Sequence, residues 1–154
     1  MKNPWTPPQY TTFRALALIW RGPELLMIRV MEKMGVVKGY RPIGGGVEFC
    51  ESSAMAMQRE VREELGMDCH LNKFVGVVEN VFEFNGVKGH EILAMWDVTL
   101  ADISIFNLEK VPYAEAHMVG DFMVWKNPLK SELPIFPPAM IEMLKKEYPH
   151  VAAA

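Results

Sequence analysis

The chain predicts a mixed α/β fold, a sheet covered on its faces by helices. Three observations carry that prediction. Segments rich in β-branched and aromatic residues at 11–20, 24–30, 74–84, 90–100 and 121–125 read as strands. One amphipathic helix begins at Ser52 or Ser53, and a second opens at Pro137-Pro138. Half of the 154 residues are apolar and 23% are charged, the balance of one compact domain over residues 1–154 with a proline-rich arm at 1–10. A chain of this size buries about two-thirds of its extended surface, so its core needs no disulfide or structural metal.

Taken in order, residues 11–20 and 24–30 form a hairpin around Arg21-Gly22-Pro23. The apolar pattern of residues 31–40 is irregular. Gly44-Gly45-Gly46 then makes a loop whose backbone few other residues could follow. The helix after Ser52 runs to about Leu65 and stops at Gly66. Asn85-Gly86 is a strong two-residue hairpin signal between the strands at 74–84 and 90–100. Residues 101–120 carry little periodicity, and the last helix runs from Pro137 through Tyr148.

Composition excludes several partners. The longest apolar run, residues 15–20, is six residues long, far short of the roughly twenty that span a bilayer, so no membrane is expected. Prolines at 4, 7 and 8 interrupt any signal-peptide apolar region, and Cys50 and Cys69 fit no metal or redox spacing; both point to a cytoplasmic protein with reduced thiols. Sixteen basic against nineteen acidic side chains leave a net charge of -3 with no basic stripe, which excludes long nucleic acid. A phosphorylated small molecule would be repelled by that charge, so binding one requires a cation or oriented amides.

On a helical wheel Ala54, Met57, Val61 and Leu65 make the buried stripe, while Glu60, Glu63 and Glu64 crowd the other side at i, i+3 and i+4. Like charges at those spacings cost about 0.2 to 0.5 kcal/mol per pair. Arg59 offsets part of this by pairing with Glu63. Left to itself, a Glu-rich helix is a solvated face and a glycine triplet a tight turn. Adjacent in sequence, they suit a hard divalent cation, with oxygen ligands and open positions for water and phosphate; the absence of a Cys/His cluster disfavours zinc.

Residues 45–67 also fill every fixed position of the pattern G-x5-E-x7-R-E-U-x-E-E-x-G-U, where U is apolar, through Gly45, Glu51, Arg59, Glu60, Val61, Glu63, Glu64, Gly66 and Met67. This resembles the Nudix box of the Nudix (MutT-like) hydrolase superfamily. Chance agreement at seven fixed letters is about one in a billion per starting position. The resemblance implies a Nudix-type α/β/α sandwich with a mixed sheet between helices. It implies metal-dependent hydrolysis, with Mg2+ or Mn2+, of a nucleoside diphosphate linked to another moiety, by water attack on phosphorus. Glu60, Glu63 and Glu64 then hold the metal with the carbonyl of Gly44 or Gly45, one of the acids helping to activate the water. Glu51 and Arg59 brace the loop against the helix. A further catalytic carboxylate comes from a later loop in several family members; Glu115 has that placement, with Glu109 and Glu91 in reserve.

Cys50 stands where related boxes often carry glycine. Trp5, Phe13, Tyr40, Phe82, Phe84, Trp96 and Phe122 are available for base stacking, although strand aromatics more often pack in the core. Exposed Met and aromatic residues would supply a homodimer face. A non-catalytic nucleotide-metabolite sensor is the alternative function, disfavoured by the intact box. An isoprenoid diphosphate isomerase would need catalytic Cys and Glu motifs that the chain lacks.

Overall fold

The computed structural model describes residues 5–32, 35–114 and 121–154. Its elements are strands β1 (Thr12–Leu18), β2 (Trp20–Arg21), β3 (Glu24–Met31), β4 (Val37–Pro42) and β5 (Gly44–Gly46), helix α1 (Ser53–Leu65), strands β6 (Cys69–Phe84), β7 (Val87–Leu100), β8 (Lys110–Pro112) and β9 (Phe122–Lys126), and helices α2 (Met140–Glu147) and α3 (Pro149–Ala153). One sheet has the order β5-β1-β7-β6, with β1 parallel to β7 and the other pairs antiparallel. The second has the order β2-β3-β9-β8, with β4 also paired to β3.

Alternation along the central strands produces the layers. In β1, Ala15 and Ala17 face a core that includes Ala56, Met57 and Val61 of α1, whereas Leu16 and Leu18 face a core that includes Met140 and Leu144 of α2 and Val151 of α3. Leu26 and Met27 of β3 divide the same way. The sheets are therefore sandwiched between helices, in an α/β/α arrangement. No helix among the described residues is long and apolar enough to cross a membrane.

The structure departs from the sequence expectation in three places. The first hairpin is confined to β2 and β3, Trp20 opposite Leu25 and Arg21 opposite Glu24. The rest of the expected first strand, β1, lies in the other sheet between β5 and β7, because residues 15–19 are buried on both faces and need neighbours on both edges. Residues 37–42, irregular in pattern, are strand β4, formed by pairing with β3 across a bulge at Val30/Met31. The terminal helix runs from Met140 to Glu147 and not from Pro137 through Tyr148, and an unexpected short helix, α3, opens at Pro149, the residue before a proline being disfavoured in the helical region. Asn85 and Gly86 make the expected tight turn, both at positive φ, with Phe84 opposite Val87.

Met27, Met57, Met95, Met123 and Met140 are fully buried, so these methionines contribute nothing to an exposed homodimer face. Of the aromatic candidates, Tyr40 is core, Trp96 donates from Nε1 to Ser53 Oγ, Trp5 stacks on Phe82, and Phe122 lies under the Arg29 guanidinium.

Candidate active site

Helix α1 starts and stops where its sequence requires. Ser52 Oγ accepts from the Met55 N–H at 3.1 Å, and Gly66, at φ 69°, donates its N–H to the Arg62 carbonyl at 2.9 Å. Its buried face is rotated from the expected stripe. Ala56, Met57, Val61 and Glu64 are buried, while Ala54 and Leu65 are only partly covered. The cause lies in β5. Gly44, at φ 145°, has no room for a Cβ against the Ala15 carbonyl, and a Cβ on Gly45 would land on the Glu60 carboxyl. With side chains absent there, α1 turns its acids toward a bare backbone, and Glu64 Oε2 accepts the Gly44 N–H at 3.1 Å.

Arg59 gathers the remaining acids. It donates from Nε and Nη2 to the two oxygens of Glu51, both at 2.9 Å, from Nη1 to Glu60 Oε1 at 2.8 Å and Glu63 Oε2 at 3.2 Å, and from Nη2 to the Gly46 carbonyl at 2.9 Å. One planar guanidinium thus ties the loop to the helix. Its hydrogen bonds, with the Glu48 N–H at 3.0 Å, hold the Glu51 carboxyl down at about 2. Glu51 in turn binds the Arg59 proton more tightly than usual.

Glu64 is in the opposite state. Burial, reinforced by the charge of Glu60, pushes its carboxyl up to about 8, against the pull of Arg41, the Gly44 N–H and Arg14. Burial and then the Glu64 charge also raise the Tyr113 hydroxyl above its ordinary range. A buried carboxyl beside a second one is a group that a divalent cation would relieve. The donors, carboxylates of Glu60, Glu63 and Glu64 with carbonyls of Gly44 and Gly45, are the hard oxygens that magnesium or manganese prefers. They are not gathered about one point: among the described residues no three His, Cys, Asp or Glu side chains stand close enough to share an ion. The reason is visible in Arg59, which draws Glu60 and Glu63 to itself.

The later acids separate cleanly. Glu115 lies outside the described residues. Glu109, 86% exposed, pairs with Arg21. Glu91 is largely covered, accepts from Asn80 Nδ2 at 2.8 Å, and faces Arg14 at 3.9 Å. His90, the preceding residue on β7, contacts Glu79 at 2.9 Å and Thr11 at 3.2 Å. Cys50 is exposed at φ 64°, the left-handed conformation that glycine would adopt without strain. Two surface recesses, one beside α2 and one between residues 8–11 and 88–90, contain none of the box residues.

Sequence reasoning passed over Arg14 and Arg41, whose charges act on Glu64. A lone cation inside the apolar strand at 12–18, and another three residues before Gly44, were the available signals.

The sequence pattern of the NUDIX domain matches residues 11–117. The chain belongs to the Nudix family. It is a hydrolase of phosphoric anhydride bonds. Three solved structures share the fold. The E. coli ORF135 protein is 25% identical over 93% of this chain and 92% of its own, with TM-score 0.60. A MutT NUDIX hydrolase from Burkholderia pseudomallei is 19% identical over 88% and 97%, with TM-score 0.57. A MutT protein from Methanosarcina mazei Go1 is 20% identical over 93% and 95%, with TM-score 0.59. No curated protein matches the sequence.

Proposed function

We propose that this Nudix protein is a metal-dependent pyrophosphohydrolase that cleaves a nucleoside diphosphate linked to another moiety, by attack of water on phosphorus. The observation that carries the reading is the buried Glu64 carboxyl, fixed by the Gly44 N–H beside Glu60. Glu60, Glu63 and Glu64 would hold the cation with the carbonyl of Gly44 or Gly45, and Glu115 would add a catalytic carboxylate. Magnesium, or manganese in its place, would supply a bound water of lowered pKa and positive charge against the phosphate oxygens.

The chain's own residues do the positioning. Glu51 and Arg59 keep the glycine strand against α1, and Arg59 holds the Glu60 carboxyl on the same guanidinium. Glu64 spends one oxygen on Gly44, which orients the carboxyl, and its second oxygen has no hydrogen-bond partner among the described residues and would serve a cation or a water proton. Cys50 and Cys69 are free thiols, and the cytoplasm is the compartment we assign.

Incubation with a panel of nucleotides and nucleotide derivatives in magnesium tests the proposal, with Glu63→Gln and Glu64→Gln beside the wild type. Each variant should lose at least about tenfold in turnover. Unaffected turnover would refute the site. Saturable nucleotide binding with no turnover over hours would favour a sensor instead.

A further inference from the structure

Beside the box, the fold brings together two arginines that the box does not contain. Arg14 sits within β1, opposite Gly46 of β5 and Leu93 of β7, and its side chain is only 19% exposed. Arg41 lies in β4, three residues before the Gly44 whose N–H holds Glu64. Burial first, and the charge of Arg41 second, loosen the hold of Arg14 on its proton, and both arginines act on Glu64. Strand β1 packs against β4 as well as β5, and Arg14 lies opposite Gly46, so the two cations share one neighbourhood beside the glycine strand.

Neither is satisfied by it. Arg14 Nε is buried with no hydrogen-bond partner among the described residues, and the Glu91 carboxylate that faces it stands 3.9 Å away, beyond hydrogen-bond reach. Among the described residues Arg41 makes no side-chain hydrogen bond or salt bridge. A buried donor without a partner is uncommon enough to need an explanation, and the charge of Arg41 repels Arg14 against the partial offset of Glu91, Glu60 and Glu64. Glu91 is itself fixed, its Oε1 accepting from Asn80 Nδ2 at 2.8 Å across the β6/β7 pair. That contact aims the carboxylate at Arg14.

A guanidinium presents five donors in a planar fork that matches phosphate oxygens. Two forks with donors to spare, next to carboxylates suited to a cation, match the two halves of a magnesium-bound phosphate chain. We propose that Arg14 and Arg41 form a cradle for the phosphate chain of the substrate beside Glu60 and Glu64, with Glu91 and Asn80 as positioning residues that orient Arg14. The identity of the ligand rests on the pyrophosphohydrolase reading. Anion binding by the two arginines does not depend on turnover.

The test is calorimetric titration of the magnesium-saturated protein with inorganic diphosphate, for the wild type and for Arg14→Lys, Arg41→Met and Glu91→Gln, together with steady-state kinetics on the nucleotide panel. Diphosphate should bind the wild type, and each arginine variant should weaken it on the order of tenfold and raise KM in step. The unliganded melting temperature should not fall for Arg41→Met, which removes repulsion. Glu91→Gln should raise KM with kcat held, the split expected of a residue that acts through Arg14.

Folded arginine variants that bind diphosphate like the wild type would overturn the cradle, leaving the arginines as mere neutralisers of nearby acids, as would a wild type that binds none. An unchanged KM in Glu91→Gln would remove its positioning role. Arginine-dependent diphosphate binding without turnover of any nucleotide would refute the hydrolase reading and leave the cradle standing.

Discussion

Replacing Glu64 by glutamine should stabilise the metal-free protein while disabling it. The carboxyl is 9% exposed and is pushed from an ordinary 4.5 up to about 8. A raised acid favours folding only while both states are protonated. Its contribution is whole below its unfolded value and is lost as pH rises from 4.5 through 8. At pH 7 the unfolded carboxyl is ionised and the folded one is mostly protonated, so folding must bind a proton at about 1.4 kcal/mol per pH unit, or about 3 kcal/mol in all.

Glutamine has no such proton to take up and can still accept the Gly44 N–H. Its amide leaves a new donor to satisfy, which reduces the expected gain to about 1 to 3 kcal/mol. Thermal denaturation in chelator reads this as about 2 to 4 °C per kcal/mol, with the advantage shrinking as pH falls toward 5. Magnesium should reverse the ranking, raising the wild-type melting temperature and leaving the variant where it was. A variant that is less stable than the wild type at neutral pH, or a difference indifferent to pH, would refute the picture of a strained buried acid.

Three further changes probe the site's construction. Gly45→Ala places a Cβ on the Glu60 carboxyl, whose flexible end can swing aside; melting should barely move while turnover falls by about a hundredfold, and full activity would refute the close approach. Arg59→Lys replaces a fork serving three carboxylates and the Gly46 carbonyl by a single ammonium. Turnover should drop at least about tenfold and the melting temperature by a few degrees, whereas Arg62→Lys, whose partner Asp68 is exposed, should change neither. Cys50→Gly relaxes a left-handed residue and should add up to about 1 kcal/mol, seen as a higher denaturation midpoint with activity intact.

The site was the most legible part of the chain because its chemistry is local. Arg59, Glu60, Glu63 and Glu64 share one helix whose periodicity makes them neighbours, Ser52 and Gly66 mark the ends of that helix, and Glu51, ahead of it, is placed only by the resemblance to the Nudix box. Asn85-Gly86 likewise encodes its own turn. What periodicity cannot carry is which face of a helix meets which backbone. The wheel set Glu64 apart from the buried stripe, and only the glycine strand, lying against α1 with no side chains of its own, drew that acid inward.

The same division holds across the fold. The spacing of residues 45–67 determines the Nudix box, since it depends on residues close together along the chain. The transfer of β1 to the far sheet and the pairing of β4 with β3 depend on contacts between distant segments. Hydrogen bonding across strands and the demand for cover on both faces of β1 decide those, and neither is encoded in any short stretch of sequence.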